Sequence, residues 1–131
     1  MPLMTWNDSL DIGVDKMNHE HQQILDAMNR IYDSTAEGAP GSRVLVQIEL
    51  LEQVTVRHFR DEEAYMKSIG YPDFENHQRI HHRLIRDLET HVAETRAAGG
   101  IPTRQFFDFL RLWLSAHIKN IDRKYADYAT K

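Results

Sequence analysis

Two four-residue steps set possible metal ligands in pairs, His58 with Glu62 and His77 with His81. On a helix, residues four apart project from one face. Both pairs lie within apolar stripes: Val54 precedes His58 by one turn and Phe59 follows it, while Ile80 and Leu84 flank His81. His117 stands between Trp113 and Ile121, with Asp122 five residues on, and His21 comes just ahead of Ile24 and Leu25. Any one of these alone is explained by ordinary core packing. Together, five imidazoles and two carboxylates in one core would cost several kcal/mol for each unpaired ionised group, an objection that a bound cation removes. The chain has no cysteine, so thiolate zinc sites, iron–sulfur clusters and disulfides are excluded. Imidazole suits iron, copper, zinc and nickel, and seven ligands are too many for one tetrahedral zinc. Two metals fit better.

The step from His117 to Asp122 is awkward. At roughly 100° per residue the two side chains of an ideal α-helix diverge by about 140°. Either the helix widens locally, or the aspartate reaches in from the flank.

The elements that must position these residues read as four helices. After an irregular arm containing Trp6, residues 17–37 carry Met17, Ile24, Leu25, Met28, Ile31 and Tyr32 at helical spacing, up to the break at Gly38-Ala39-Pro40-Gly41. From Ser42, read as an N-cap, a stripe of Val44, Leu45, Ile48, Leu51, Val54, Val56 and Phe59 runs to about Lys67, before Ser68-Ile69-Gly70. The Tyr71-Pro72-Asp73 corner starts a third helix, which ends at Gly99-Gly100. Pro102-Thr103 opens the fourth, with Phe106, Phe109, Leu110, Trp113, Leu114, Ile118, Ile121 and Tyr125 along its stripe. No segment alternates with period two. Long amphipathic helices joined by short loops imply an all-α, up-down-up-down antiparallel four-helix bundle.

A length of 131 residues suits one domain spanning 1–131. The net charge of −4 offers no footprint for nucleic acid. Met1 to Asp8 lacks the basic and apolar parts of a secretory signal, and no apolar run approaches the ~18 residues of a membrane span. A cytoplasmic protein with no membrane insertion is the expectation.

The ligand pattern resembles that of the hemerythrin family: His21 within Asn18-His19-Glu20-His21, HFRDE over 58–62, HQRIH over 77–81 and HIKNID over 117–122. The arm with Trp6 fits as well, so the resemblance covers nearly the whole chain. It implies two iron ions joined by an oxo or hydroxo group. One would take His77, His81 and His117, the other His21 and His58, with Glu62 and Asp122 bridging. The two-histidine iron keeps one position open for dioxygen. Ile24, Phe59, Met66, Trp113, Leu114 and Ile118 match the family's apolar oxygen pocket.

What the resemblance implies is reversible dioxygen binding for storage, transport or delivery to an oxygen-consuming client enzyme, by a protein that is not itself an enzyme; separately, a monomer is the expectation. The alternatives on the same scaffold are a di-iron oxidase or peroxidase, and a sensor of oxygen or nitric oxide. His19, His82 and His91 fall outside the motif, on what the periodicity makes flanks or polar faces. The charge run Arg60-Asp61-Glu62-Glu63 reads as solvated surface apart from Glu62.

Overall fold

The computed structural model describes residues 2–130. Its long elements are α1 (Asp15–Ala36), α2 (Gly41–Ser68), α3 (Phe74–Ala97) and α4 (Arg104–Ala116). The fourth rod continues from α4 through a π-helical turn, His117–Asp122, into α5 (Arg123–Ala129). No strand occurs among the described residues. The helices form the expected antiparallel bundle.

Helices α1 and α2 have 22 and 28 residues, so at 1.5 Å per residue they run about 33 and 42 Å. Met17, Ile24, Leu25, Met28 and Ile31 of α1 are buried at the spacing of one helix face, and Val44, Ile48, Leu51 and Phe59 of α2 meet them. Val56 departs from the expected stripe: it is 40% exposed, because two residues beyond Val54 the helix has turned by about 200°.

The loops explain the boundaries. Gly70 adopts φ +68°, which lets the Tyr71 N–H reach the Met66 carbonyl at 3.0 Å and the Gly70 N–H reach that of Lys67 at 3.1 Å. These bonds close the last turn of α2 as a Schellman motif. At the fourth rod, Thr103 acts as the N-cap, its hydroxyl accepting from the Phe106 N–H at 3.1 Å. The expected Ser42 cap is not the one used, since α2 starts at Gly41 with Pro40 as its N-cap. Gly41 lies against the backbone of Gly99 and Gly100, where any β-carbon would collide with the Gly99 carbonyl. That approach, rather than a side-chain cap, fixes the entry to α2.

The arm is less irregular than expected. Asp8–Leu10 form a 3-10 turn and Leu10 is fully buried. The Asn29 side chain bonds the Met4 backbone at 3.0 and 2.8 Å, and the Arg123 guanidinium donates to the carbonyls of Ser9 and Asp11 at 3.0 and 3.2 Å. The arm thus joins α1 to the end of the fourth rod.

Candidate metal centre

All seven residues singled out by type and spacing converge inside the bundle, and none is more than 6% exposed: His21 from α1, His58 and Glu62 from α2, His77 and His81 from α3, His117 and Asp122 from the π turn. They form two overlapping groups. Glu62, His77, His81, His117 and Asp122 each offer a ligand atom within 4.8 Å of the others, and so do His21, His58, Glu62 and Asp122. The two carboxylates belong to both.

Their oxygens divide between the groups. Glu62 Oε1 lies 3.1 Å from His77 Nε2 and 2.7 Å from His81 Nε2, while its Oε2 lies 3.2 Å from His58 Nε2. Asp122 Oδ1 lies 3.1 Å from His77 Nε2 and 2.9 Å from His117 Nε2, while its Oδ2 lies 2.9 Å from His21 Nε2. Imidazole nitrogen and carboxylate oxygen bind first-row metals at about 2.1 Å, so ligands at right angles on one ion are about 3.0 Å apart. The observed spacings are those of octahedral edges. The Nε2 atoms of His21, His58 and His117 and both oxygens of Asp122 are buried without a hydrogen-bond partner despite this proximity. Buried lone pairs left without partners in this way are able to meet a shared cation. The donor set therefore fits two metal ions.

The π turn resolves the awkward five-residue step. Hydrogen bonding from i to i+5 widens the helix by one residue and brings His117 and Asp122 to the same side. Of the two routes open from the sequence, the fold uses the local widening.

Electrostatics favour a positive occupant. Burial pushes the Glu62 carboxyl up, but the surrounding imidazoles, His58 foremost, outweigh it and hold the group well below the usual carboxylate range. Burial and the Glu62 charge likewise raise Asp122, yet His117 and His21 keep it low. Burial opposes a charged His58, but Glu62 and Glu20 raise it to about 10. His117 rises to about 9 against burial through Asp122. Protons and metal ions compete for these same lone pairs.

Two neighbours, Glu20 and Glu63, escaped the sequence reading, and Tyr125, read there as part of the apolar stripe, has a polar role as well. Glu20 accepts from His58 Nδ1 at 2.7 Å, and Glu63 accepts from His81 Nδ1 at 2.9 Å and from Gln78 at 2.8 Å. Each turns the Nε2 of its histidine toward the centre, the arrangement that orients imidazole ligands in metal sites. Glu63 is thus not free surface. Tyr125, fully buried, donates from its hydroxyl to Glu62 Oε2 at 2.7 Å. Glu20 could have been found from its place one residue before His21. Glu63 could not, because only the packing of α2 on α3 brings it to His81.

The expected pocket residues Ile24, Phe59, Met66, Trp113, Leu114 and Ile118 are all buried. Phe59 stacks on His81 with ring centroids 3.9 Å apart. His19 and His82 are exposed as expected, whereas His91 is half-buried and stacked on Phe106 and Phe109 at 5.7 and 4.7 Å. The apolar parts of α3 and α4 enclose His91, so it does not lie on a polar face.

Fold and site together define a helical bundle with a buried histidine and carboxylate centre suited to a pair of metal ions. Residues 12–129 match the family described as hemerythrin HHE cation binding domain, and the chain belongs to the hemerythrin family. A bacteriohemerythrin of Stenotrophomonas maltophilia is 32% identical over 133 residues, covering 97% of this chain and 82% of that one. A hemerythrin of Sipunculus nudus is 28% identical, covering 92% of this chain and 88% of that one. A crystal structure of wild-type hemerythrin superposes with a TM-score of 0.87 at 28% identity, covering 98% of this chain and 99% of that one.

Proposed function

We propose that the centre holds two iron ions and binds dioxygen reversibly. The observation that carries this reading is the division of each carboxylate, with one oxygen toward the three-histidine group and the other toward the two-histidine group. A carboxylate so placed would bridge two ions. His77, His81 and His117 would hold one iron and His21 and His58 the other, joined by Glu62, Asp122 and an oxo or hydroxo group. When bound, the iron pair supplies two electrons for the reversible reduction of dioxygen.

The protein residues do the rest. His77, His81 and His117 with the two carboxylates would offer five ligands to one ion, and His21 and His58 with the same carboxylates four to the other, so the two-histidine ion would be the one with room for dioxygen. Ile24, Phe59, Met66, Trp113, Leu114 and Ile118 surround the centre with apolar surface and keep bulk water and its protons out. Tyr125 holds the Glu62 oxygen on the two-histidine side, and Glu20 holds His58. The physiological use that fits is oxygen storage or delivery to a client enzyme, by a protein with no substrate turnover of its own, in the cytoplasm. Among the described residues no helix is long and apolar enough to cross a membrane.

The test is optical. The reduced, iron-loaded protein should be nearly colourless, gain a visible charge-transfer band under oxygen and lose it under vacuum. Immediate, irreversible oxidation with turnover of an added organic substrate would instead favour an oxidase.

A further inference from the structure

We propose that the outer face of α3 is the docking surface for an acidic one-electron carrier protein that returns the oxidised centre to its reduced state; this rests on the di-iron reading above. The face is a shallow groove of about 610 Å³ lined by Arg79, His82, Arg83, Ile85 and Arg86, with no acidic residue in its lining. In a chain with 20 acidic and 16 basic residues, that is a local reversal of sign. Among the described residues, none of these three arginines has a carboxylate within 4.0 Å, whereas Arg96 pairs with Glu49 and Arg111 with Asp108. The cationic groups are exposed and uncommitted.

The spacing suits a surface rather than a small ligand. Arg79, Arg83 and Arg86 follow one side of the helix over seven residues, about 10 Å, with the half-buried Ile85 beside them. A row of guanidinium groups around one apolar residue matches a negatively charged protein face, which such a row would steer and orient. No backbone N–H of the helix interior is free to cradle a phosphate.

The position explains what such a partner would do. The same helix carries His77 and His81, so Arg79 lies between the two proposed ligands in sequence and on the opposite side of the helix. A carrier seated there is separated from the centre by little more than one helix diameter, about 10–12 Å. A direct approach is closed, since no proposed ligand is more than 6% exposed. Contact between a reductant and the ions is blocked, so electrons must cross the protein, and α3 is a thin wall with a charged landing surface. In each encounter the carrier loses one electron and one ferric ion becomes ferrous, so two encounters restore the pair. The groove itself transfers no proton.

The experiment uses a plant-type [2Fe–2S] ferredoxin, a small acidic carrier, as the probe. Its affinity for the parent protein is measured by calorimetry at low salt, and its rate of electron delivery to the ferric, iron-loaded protein by stopped-flow absorbance. Arg79→Glu with Arg83→Glu should weaken binding and slow delivery by about tenfold or more, and raising salt should do the same to the parent. Arg104→Glu with Arg111→Glu, on another face, should stay within about twofold of the parent in both. The methyl viologen radical cation, which needs no docking site, should reduce all forms at comparable rates. Equal ferredoxin binding by parent and α3 variant, or no binding to the parent, would overturn the proposal. So would tight ferredoxin binding with no electron transfer in protein that the viologen reduces, or capture of tripolyphosphate by the groove while ferredoxin is ignored. If the viologen cannot reduce the loaded protein, the di-iron reading has failed, and the binding titration, which needs no iron, still decides whether the groove docks the carrier.

Discussion

Replacing Glu20 and Glu63 one at a time should separate the two halves of the centre. Each carboxylate accepts a bond from the Nδ1 of one proposed ligand, at 2.7 Å for His58 and 2.9 Å for His81. In Glu20→Ala the His58 N–H would be left buried, with His58 only 2% exposed and Glu20 itself 9%. An unsatisfied buried donor costs about 1–3 kcal/mol. Loss of such an outer partner typically weakens metal binding by about 10–100-fold, or 1.4–2.7 kcal/mol, so two independent routes give the same range. The Glu63 side chain is 21% exposed, so water can take its place beside His81. Glu63→Ala should therefore cost less, about tenfold or under. The two should also differ in which ion is lost. Glu20→Ala should release the iron of the two-histidine group first and leave one iron per chain, while Glu63→Ala should keep both at moderate chelator strength. The assay is iron retention against a graded series of chelator concentrations. Equal retention by both variants and the parent, or greater loss from Glu63→Ala, would refute this account of how the histidines are held.

Leu114→Ala, at a position only 2% exposed, should cost about 3–5 kcal/mol of stability on denaturant unfolding, keep both irons and autoxidise faster than the parent. Ile48→Ala, ten residues and about 15 Å along α2 from His58, is the control; equal autoxidation in the two variants would remove Leu114 from the oxygen pocket. Tyr125→Phe should retain both irons, shift the visible band and lower the unfolding midpoint, because Glu62 Oε2 loses its hydroxyl donor; an unchanged spectrum would show that this bond does not reach the centre. Loading ferrous iron at pH 7.5 should release roughly two protons, since His58 and His117 rise to about 10 and about 9 without metal. The sign follows from those values: iron affinity should climb with pH from 7 to about 10, where His58 has lost its proton, and level off above that, and a pH-independent affinity would contradict the electrostatics.

Much of the centre was legible because helices are periodic. Four-residue steps place His58 with Glu62 and His77 with His81 before any tertiary fact is known, and apolar neighbours tell which way they face. The meeting of four such faces is what a bundle provides. The features that escaped depend on packing between elements. His117 and Asp122 left two geometries open, because a π turn is an alternative hydrogen-bond register with no residue of its own to announce it. Glu63 stood in a run of charges and read as surface until α3 placed His81 against it. Ser42 has the chemistry of an N-cap, but the contact of Gly41 with Gly99 and Gly100 determines where α2 begins. His91 looked polar by type and is held between Phe106 and Phe109.

Anomalous diffraction at the iron edge, from crystals of the iron-loaded protein, tests the central claim most directly. The account predicts two peaks per chain, one about 2.1 Å from Nε2 of His77, His81 and His117 and the other about 2.1 Å from Nε2 of His21 and His58, each also bound by one oxygen of Glu62 and one of Asp122. A single peak shared by the five histidines, or two peaks with Glu62 bound to only one, would contradict it.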